Sequence, residues 1–265
     1  MTDSALRPLY FKPRNGVRIV VWSAFAALLL LLPLVARSSF AQTLLCATGI
    51  AAIACMSYNM LLGQAGMLSF GHAVYTGLAT FVAVHAMNRV GAGWWLPMWA
   101  IPLVGGLAGL AFGVVIGYVT TRKAGTPFAM ITLGVGELVF AGALMFPEFF
   151  GGESGVSANR TAGAGWLKDV GITFGPQLQV YYLIAIYLFL CSAAMYAFTL
   201  TPLGRIANAV RDNAERAEFV GYDTRWVRYL VVMASSFFAG IAGGLTAINV
   251  EVATADLLYS VRSGQ

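Results

Sequence analysis

Two ionisable side chains interrupt otherwise apolar stretches of this chain, and they mark where chemistry could occur. Glu137 falls about ten residues into the largely apolar run 127–148. A carboxylate at the centre of a bilayer costs about 2.5–3.5 kcal/mol on insertion scales, so Glu137 is expected to face a bundle interior or a cavity and to have a partner there. His72 follows Ser69 by three residues, a spacing that puts both on one face of a helix. From there it can line a path or donate to a carbonyl. Asn59 and Gln64 flank a short Gly63-Gln64-Ala65-Gly66 segment, where they can satisfy freed backbone groups or contact a solute. His85, beside Asn88 and Arg89, reads as an interfacial histidine.

Bond-making chemistry finds less support. Gly152-Glu153-Ser154-Gly155 fits the G-x-S-G pattern of a membrane serine protease. That nucleophile must lie deep in a bundle with a histidine able to take its proton, whereas Ser154 lies in a polar loop with Arg160, Lys168 and Asp169. No H-E-x-x-H and no paired catalytic carboxylates occur within the apolar runs. Cys46, Cys55 and Cys191 lack C-x-x-C spacing and read as small core hydrophobes. No catalytic residue, metal site or enzyme activity is expected.

The elements that hold these residues follow from composition. Of 265 residues, 59% are hydrophobic and only 10% charged, with a mean hydropathy of +0.76. A soluble domain carries about 25% charged residues, so a water-soluble globule is excluded. A disordered chain is excluded too, because disorder requires low hydrophobicity. Seven stretches are long enough to cross about 30 Å of hydrocarbon, or nearly so: 17–36, 41–62, 67–87, 94–119, 127–148, 180–200 and 229–249. They lack the alternation of a membrane barrel. The fold class is therefore all-α, a polytopic transmembrane helical bundle of about seven spans. Ser39-Phe40-Ala41 resembles a signal cleavage site, but the apolar run 19–36 exceeds a signal core of about 7–15 residues and reads as an anchor helix.

Basic residues divide unevenly between the two sides of such a bundle. Arg7, Lys12, Arg14, Arg18, Arg122, Lys123, Arg205, Arg211, Arg216, Arg225 and Arg228 fall on one side. Arg37, Arg89, Arg160, Lys168 and Arg262 fall on the other. The positive-inside rule makes the richer side, with the N-terminus, cytoplasmic. The net charge of +5 is thereby accounted for without nucleic-acid binding. The chain divides into a cytoplasmic segment 1–16 and a transmembrane domain 17–265 with a periplasmic loop 149–179 and a cytoplasmic loop 201–228. The uncharged turn at 63–66 is either a tight hairpin at the surface or a broken, re-entrant helix, tolerated at depth only beside protein or a water-filled cavity. Gly105, Gly109, Gly113 and Gly117, and likewise Ser235, Ala239, Gly243 and Ala247, recur every four residues and allow close helix packing in the bundle or at a dimer interface.

The cytoplasmic loop carries the densest signals. Thr201 can cap a helix opening at Pro202. Asp212 and Glu215 have capping-box spacing for a second helix, 213–220, which Gly221 can end in the left-handed conformation. Its small, partly apolar surface, flanked by Arg and Glu, suits docking into a groove on a partner.

This segment, with Glu215-Arg216-Ala217-Glu218 and Gly221, resembles the coupling loop of ATP-binding-cassette importer permeases. Pro202-Leu203-Gly204-Arg205, Arg211-Asp212-Asn213 and Ala217-Glu218 with Gly221 resemble the branched-chain amino-acid permease subunits (LivM-like) more specifically. Two further blocks agree in order: Asn59 to Ala73, and Phe128 to Leu133 with Glu137 followed by Gly151-Gly152-Glu153-Ser154-Gly155. The resemblance covers about residues 17–260. It implies a bacterial inner-membrane permease subunit of an importer for branched-chain or related hydrophobic amino acids. It also implies ATPase subunits that bind ATP, a second permease subunit (identical or different) and a periplasmic solute-binding protein as partners. Arg211, Asp212, Glu215, Ala217, Glu218 and Gly221 would couple to the ATPase, and Asn59, Gln64, Ser69, His72 and Glu137 would lie along the path. The chain itself has no G-x-x-x-x-G-K-[ST] loop and no cofactor is expected in it. Members of this family continue with a Gly-rich stretch and another span, so the resemblance implies a chain shortened at Gln265. Urea and short-amide permeases share the same blocks. An ion-coupled secondary transporter using Glu137 and His72 is the alternative from another class; inverted repeats, which it would require, are not evident.

Overall fold

In a computed structural model, residues 15–35, 38–161 and 173–258 are described. Arg7, Lys12, Arg14, Arg37, Lys168, Asp169 and Arg262 lie outside them. The described chain is almost wholly helical. Its long helices are α1 (Asn15–Val35), α2 (Ser39–Asn59), α3 (His72–Gly91), α4 (Ile101–Thr120) and α5 (Thr126–Met145). A short α6 (Pro147–Phe150) follows, then α7 (Gln177–Leu200), the connector helices α8 (Pro202–Asp212) and α9 (Ala214–Phe219), and α10 (Thr224–Val250). Two-residue strands, Val156–Ser157 and Val252–Ala253, pair antiparallel and tie the loop after α6 to the end of α10.

Hydropathy and packing agree except at α3. Among the described residues, six helices are long and apolar enough to cross a membrane, and α3 is not among them. This corrects the count of seven apolar spans, and the reason is burial. α3 lies inside the bundle packed against both α10 and α4, with most of its residues shielded, so it can carry His72, Thr76 and Thr80 without meeting lipid.

Helix α10 is the hub. The α4 glycine row meets it in antiparallel register: a Cβ added at Gly105 would lie 2.6 Å from the Gly240 carbonyl oxygen, and one at Gly109 would lie 2.7 Å from Gly240 Cα. Only residues without side chains allow backbones this close. The second row, on α10 itself, faces the opposite way. Gly243 abuts the Thr76 carbonyl on α3, and Ser235 Oγ donates to the Ser57 carbonyl on α2 at 2.6 Å. Both rows are thus consumed within one chain. At the periphery, α1 leans on α7 through Trp22 and Phe189, 5.5 Å apart and edge-on.

The turn at 63–66 resolves into a break. α2 continues through a π-helical turn, Met60–Gln64, and the chain then runs non-helically through 66–71 before α3 opens at His72. Thr76, four residues into α3, already lies beside Gly243, nineteen residues into α10. His72 therefore starts its helix alongside the middle of the bundle, not at its end. Such a non-helical run can climb up to about 16 Å, or half the hydrocarbon thickness. Met67 and Ser69 point into protein while Leu68 and Phe70 border a cavity, which meets the condition for irregular backbone at depth. The third span, expected as 67–87, opens on an irregular leg, 67–71, and is helical only from His72. Ser69 belongs to the leg, so the shared helical face expected for Ser69 and His72 does not exist.

Candidate translocation cleft and coupling helices

A cavity of about 630 Å³ opens between α2 and α3, with α10 as its floor and Leu257 at one end. One face of α2 contributes Cys55 and Tyr58, α3 contributes His72, Thr76 and Thr80, and α10 contributes Thr246. None of the described lining residues is charged. The helical period explains the α3 set, since residues four apart share a face. That spacing of His72, Thr76 and Thr80 was readable in the sequence, yet the threonines escaped notice because hydroxyls are common in buried helices.

His72 is the centre of this wall. It is 5% exposed, its Nε2 lies 2.8 Å from Ser57 Oγ on α2, and its ring packs edge-on against Tyr58 and Tyr75. Of the five residues expected along a path, only His72 lines the cavity. Ser69 is buried behind it. Asn59 is exposed, with its side chain folded over Gly63. Gln64 is half-buried, with an Oε1 atom that has no hydrogen-bond partner. Glu137 is the clearest departure. It is exposed on the outer side of α5 instead of facing the interior or a cavity. Helix α5 turns Phe128, Ala129, Thr132 and Gly136 inward, and Thr132 Oγ1 accepts from the Phe70 N–H at 3.2 Å, so α5 buries the face that braces the irregular leg.

The connector between α7 and α10 is built as two helices. Thr201 Oγ1 accepts from the Gly204 N–H and caps α8 as expected. The second cap differs: Asn213, not Asp212, accepts from the Arg216 N–H to start α9. Asp212 is instead paired with Arg211 at 3.0 Å. Asn213 wins because its φ of −157° takes the extended conformation a cap needs, while Asp212 still belongs to the last turn of α8. Gly221 ends the pair with φ +97°. Ala217 is buried, and Glu218 accepts from the Thr224 hydroxyl at 2.7 Å, fastening α9 to α10. Glu215 and Glu218 remain on the connector, and Phe219 is 90% exposed at its tip.

Arg211 joins the two regions. Its guanidinium donates to the Gly63 carbonyl in the π turn, and its stem covers Gly66, where φ is +64° and an added Cβ would lie 2.7 Å from Arg211 Cγ. Leu61, Ala65, Met67, Ala207, Val210 and Ala217 share one buried cluster there. The connector and the break in the third span are therefore one packed unit, with the cavity on its far side.

Residues 40–263 match the family described as branched-chain amino acid transport system, permease component. The chain is 27% identical over 210 residues to the high-affinity branched-chain amino acid transport system permease protein LivM of Escherichia coli (strain K12). It is 26% identical over 210 residues to the LivM protein of Salmonella typhimurium (strain LT2). Each alignment covers 72% of this chain and 48% of the relative, so the chain spans about half the length of the curated relatives it matches. No solved structure matches. Because the match runs from the start of α2 to beyond the end of α10, this multi-pass membrane chain belongs to the branched-chain amino acid transport permease family.

Proposed function

We propose that the chain is the membrane-spanning permease subunit of an ATP-binding-cassette importer for branched-chain or related hydrophobic amino acids. It works in a bacterial inner membrane, with residues 1–16 in the cytoplasm, residues 17–265 as the permease domain and the loop 149–179 in the periplasm. The observation that carries this reading is the contact of Arg211 with Gly63 and Gly66. A push on α8 and α9 reaches the break in the third span directly, and the cleft lies against that break. The tip formed by Phe219 and Val220, 90% and 71% exposed, suits a groove on an ATPase subunit. Exposed Glu137 on α5 would be costly against lipid, so we assign that face to the second permease subunit. A periplasmic binding protein would deliver the solute.

The test is uptake of radiolabelled leucine by cells lacking their own carriers and supplied with this chain, its ATPase and its binding protein. Uptake is expected to be blocked by vanadate and unaffected by uncouplers. Uptake at full rate without the ATPase would overturn the reading.

Gly221 offers a local check. Its φ of +97° suits glycine, and no atom lies within 4 Å of an added Cβ, so valine there strains the backbone without a clash. Gly221→Val is expected to leave the protein at normal level in the membrane while ATP hydrolysis proceeds with several-fold less leucine uptake. Unchanged uptake would count against this role for the connector.

A further inference from the structure

At the end of the bundle that carries the connector, two arginines from different segments converge on one aromatic ring. Arg122, in the turn after α4, holds its guanidinium carbon 5.1 Å from the centre of the Tyr118 ring. Arg225, in the first turn of α10, holds its own 5.4 Å from the same centre. Both arginines are exposed, and Lys123 beside them adds a third exposed cation. Among the described residues, neither arginine has a carboxylate within 4 Å. Asp223, the nearest acid along the chain, spends its Oδ1 on the Arg225 and Trp226 N–H groups as the cap of α10. Like charges are thus gathered on one tyrosine without a paired carboxylate, an arrangement that favours an anion from outside the chain.

A cavity of about 140 Å³ opens beside that ring, lined by Tyr118, Thr121, Arg225, Trp226 and Tyr229. Thr121 Oγ1 donates to the Gly117 carbonyl at 2.7 Å, and the Tyr229 hydroxyl donates to the Val114 carbonyl at 3.1 Å. Those two protons are spent, which leaves the Arg225 guanidinium and the Trp226 indole N–H as donors toward the cavity. Its size admits a phosphate group and falls well below the roughly 300 Å³ of a pocket that encloses a whole small molecule.

Position indicates where such a phosphate comes from. Helix α10 has 27 residues, or about 40 Å against about 30 Å of hydrocarbon, so its ends reach the headgroup layers. Trp226 and Tyr229 pack edge-on, 5.5 Å apart, in its first turns, where aromatic side chains gather at a membrane interface. Behind them on α4, Leu107, Val114, Val115 and Tyr118 share one exposed face at helical spacing. That face continues from the cationic corner into the apolar part of the bundle, as an acyl chain does from its headgroup.

We propose that this corner binds the phosphate of an anionic phospholipid. Arg122 and Arg225 take the phosphate oxygens, the Trp226 indole N–H donates from the cavity, and one acyl chain follows the exposed face of α4. A zwitterionic lipid carries its own cation and gains less from two guanidiniums. The site is distinct from the cleft and does not depend on which solute the chain moves. The same donors would hold a free phosphate, and the experiment separates the two sources.

The purified full chain in dodecyl maltoside micelles is titrated with dioleoyl phosphatidylglycerol, dioleoyl phosphatidylcholine or inorganic phosphate. Bound lipid is counted by native mass spectrometry, and stability is followed by thermal unfolding. Phosphatidylglycerol is expected to stay bound and to raise the apparent Tm by about 2 °C or more; phosphatidylcholine and inorganic phosphate should do much less. Arg122→Gln and Arg225→Gln should each weaken phosphatidylglycerol binding about fivefold, and together they should abolish the preference over phosphatidylcholine. Both side chains are exposed, so these variants keep the fold. Arg205→Gln removes one exposed cation from α8 at the same end and should bind phosphatidylglycerol like wild type.

No preference for phosphatidylglycerol in the wild-type chain would overturn the proposal. An equal loss in Arg205→Gln would also overturn it, by showing diffuse attraction to charge in place of a site. Equal stabilisation by inorganic phosphate would overturn the lipid assignment in favour of a free anion. A double variant that keeps its lipid preference but no longer co-purifies with the ATPase would assign the two arginines to that partner instead.

Discussion

Replacing Gly109 by valine is expected to unseat α4 from α10 and lower the stability of the chain by about 3 kcal/mol or more. The new Cβ would lie 2.7 Å from Gly240 Cα and would also press on the Ser236 carbonyl. Both are backbone atoms, so no rotamer change relieves the contact and the helices must separate. Separation forfeits the packing of the whole row from Gly105 to Gly117, in a solvent that gives no hydrophobic compensation. Gly134→Val on α5 is the matched control, because nothing lies within 4 Å of a Cβ there. Thermal unfolding of both variants, with their steady-state levels in the membrane, checks the pair. A Gly109 variant that melts like wild type would contradict the α4–α10 interface.

The second large effect is expected at Arg211 and concerns transport instead of folding. Arg211→Ala removes the bond to the Gly63 carbonyl and uncovers Gly66. A hydrogen bond from a charged donor contributes about 1.5–3 kcal/mol, so a coupling step that depends on it should slow about tenfold or more. Leucine uptake is expected to fall accordingly while the protein remains in the membrane and the ATPase subunits continue to hydrolyse ATP. The Arg211–Asp212 pair is not what matters. Asp212 is 68% exposed in its side chain, and such surface pairs contribute at most about 1 kcal/mol. Asp212→Asn should therefore transport nearly as well as wild type. If Arg211→Ala transports at full rate, force does not pass from α8 to the break.

These two residues also show how far reading the chain could go. The glycine row on α4 was legible because a four-residue repeat of small side chains has one physical use in a membrane helix. Its partner was not, since nothing local says which face of α10 it meets. Thr201 and Gly221 were identified correctly because a cap and a left-handed terminus are set by neighbouring backbone. Asp212 was misassigned as the cap because Asp and Asn cap about equally well, and the choice between adjacent candidates depends on where α8 runs out. Ser57 gave no signal, although its hydroxyl holds the His72 ring from fifteen residues upstream.

Hydropathy needed no knowledge of neighbours to establish the membrane, the helical class and most of the long helices, because lipid tests each segment separately for backbone self-sufficiency and apolar length. The same criterion misjudged α3, since a helix wrapped by protein escapes the lipid test. The depth of His72, the outward turn of Glu137 and the grip of Arg211 on the irregular leg depend on how separate helices pack. Distances of that kind are set by shape fitting between segments far apart in the chain, and no local pattern of residues encodes them.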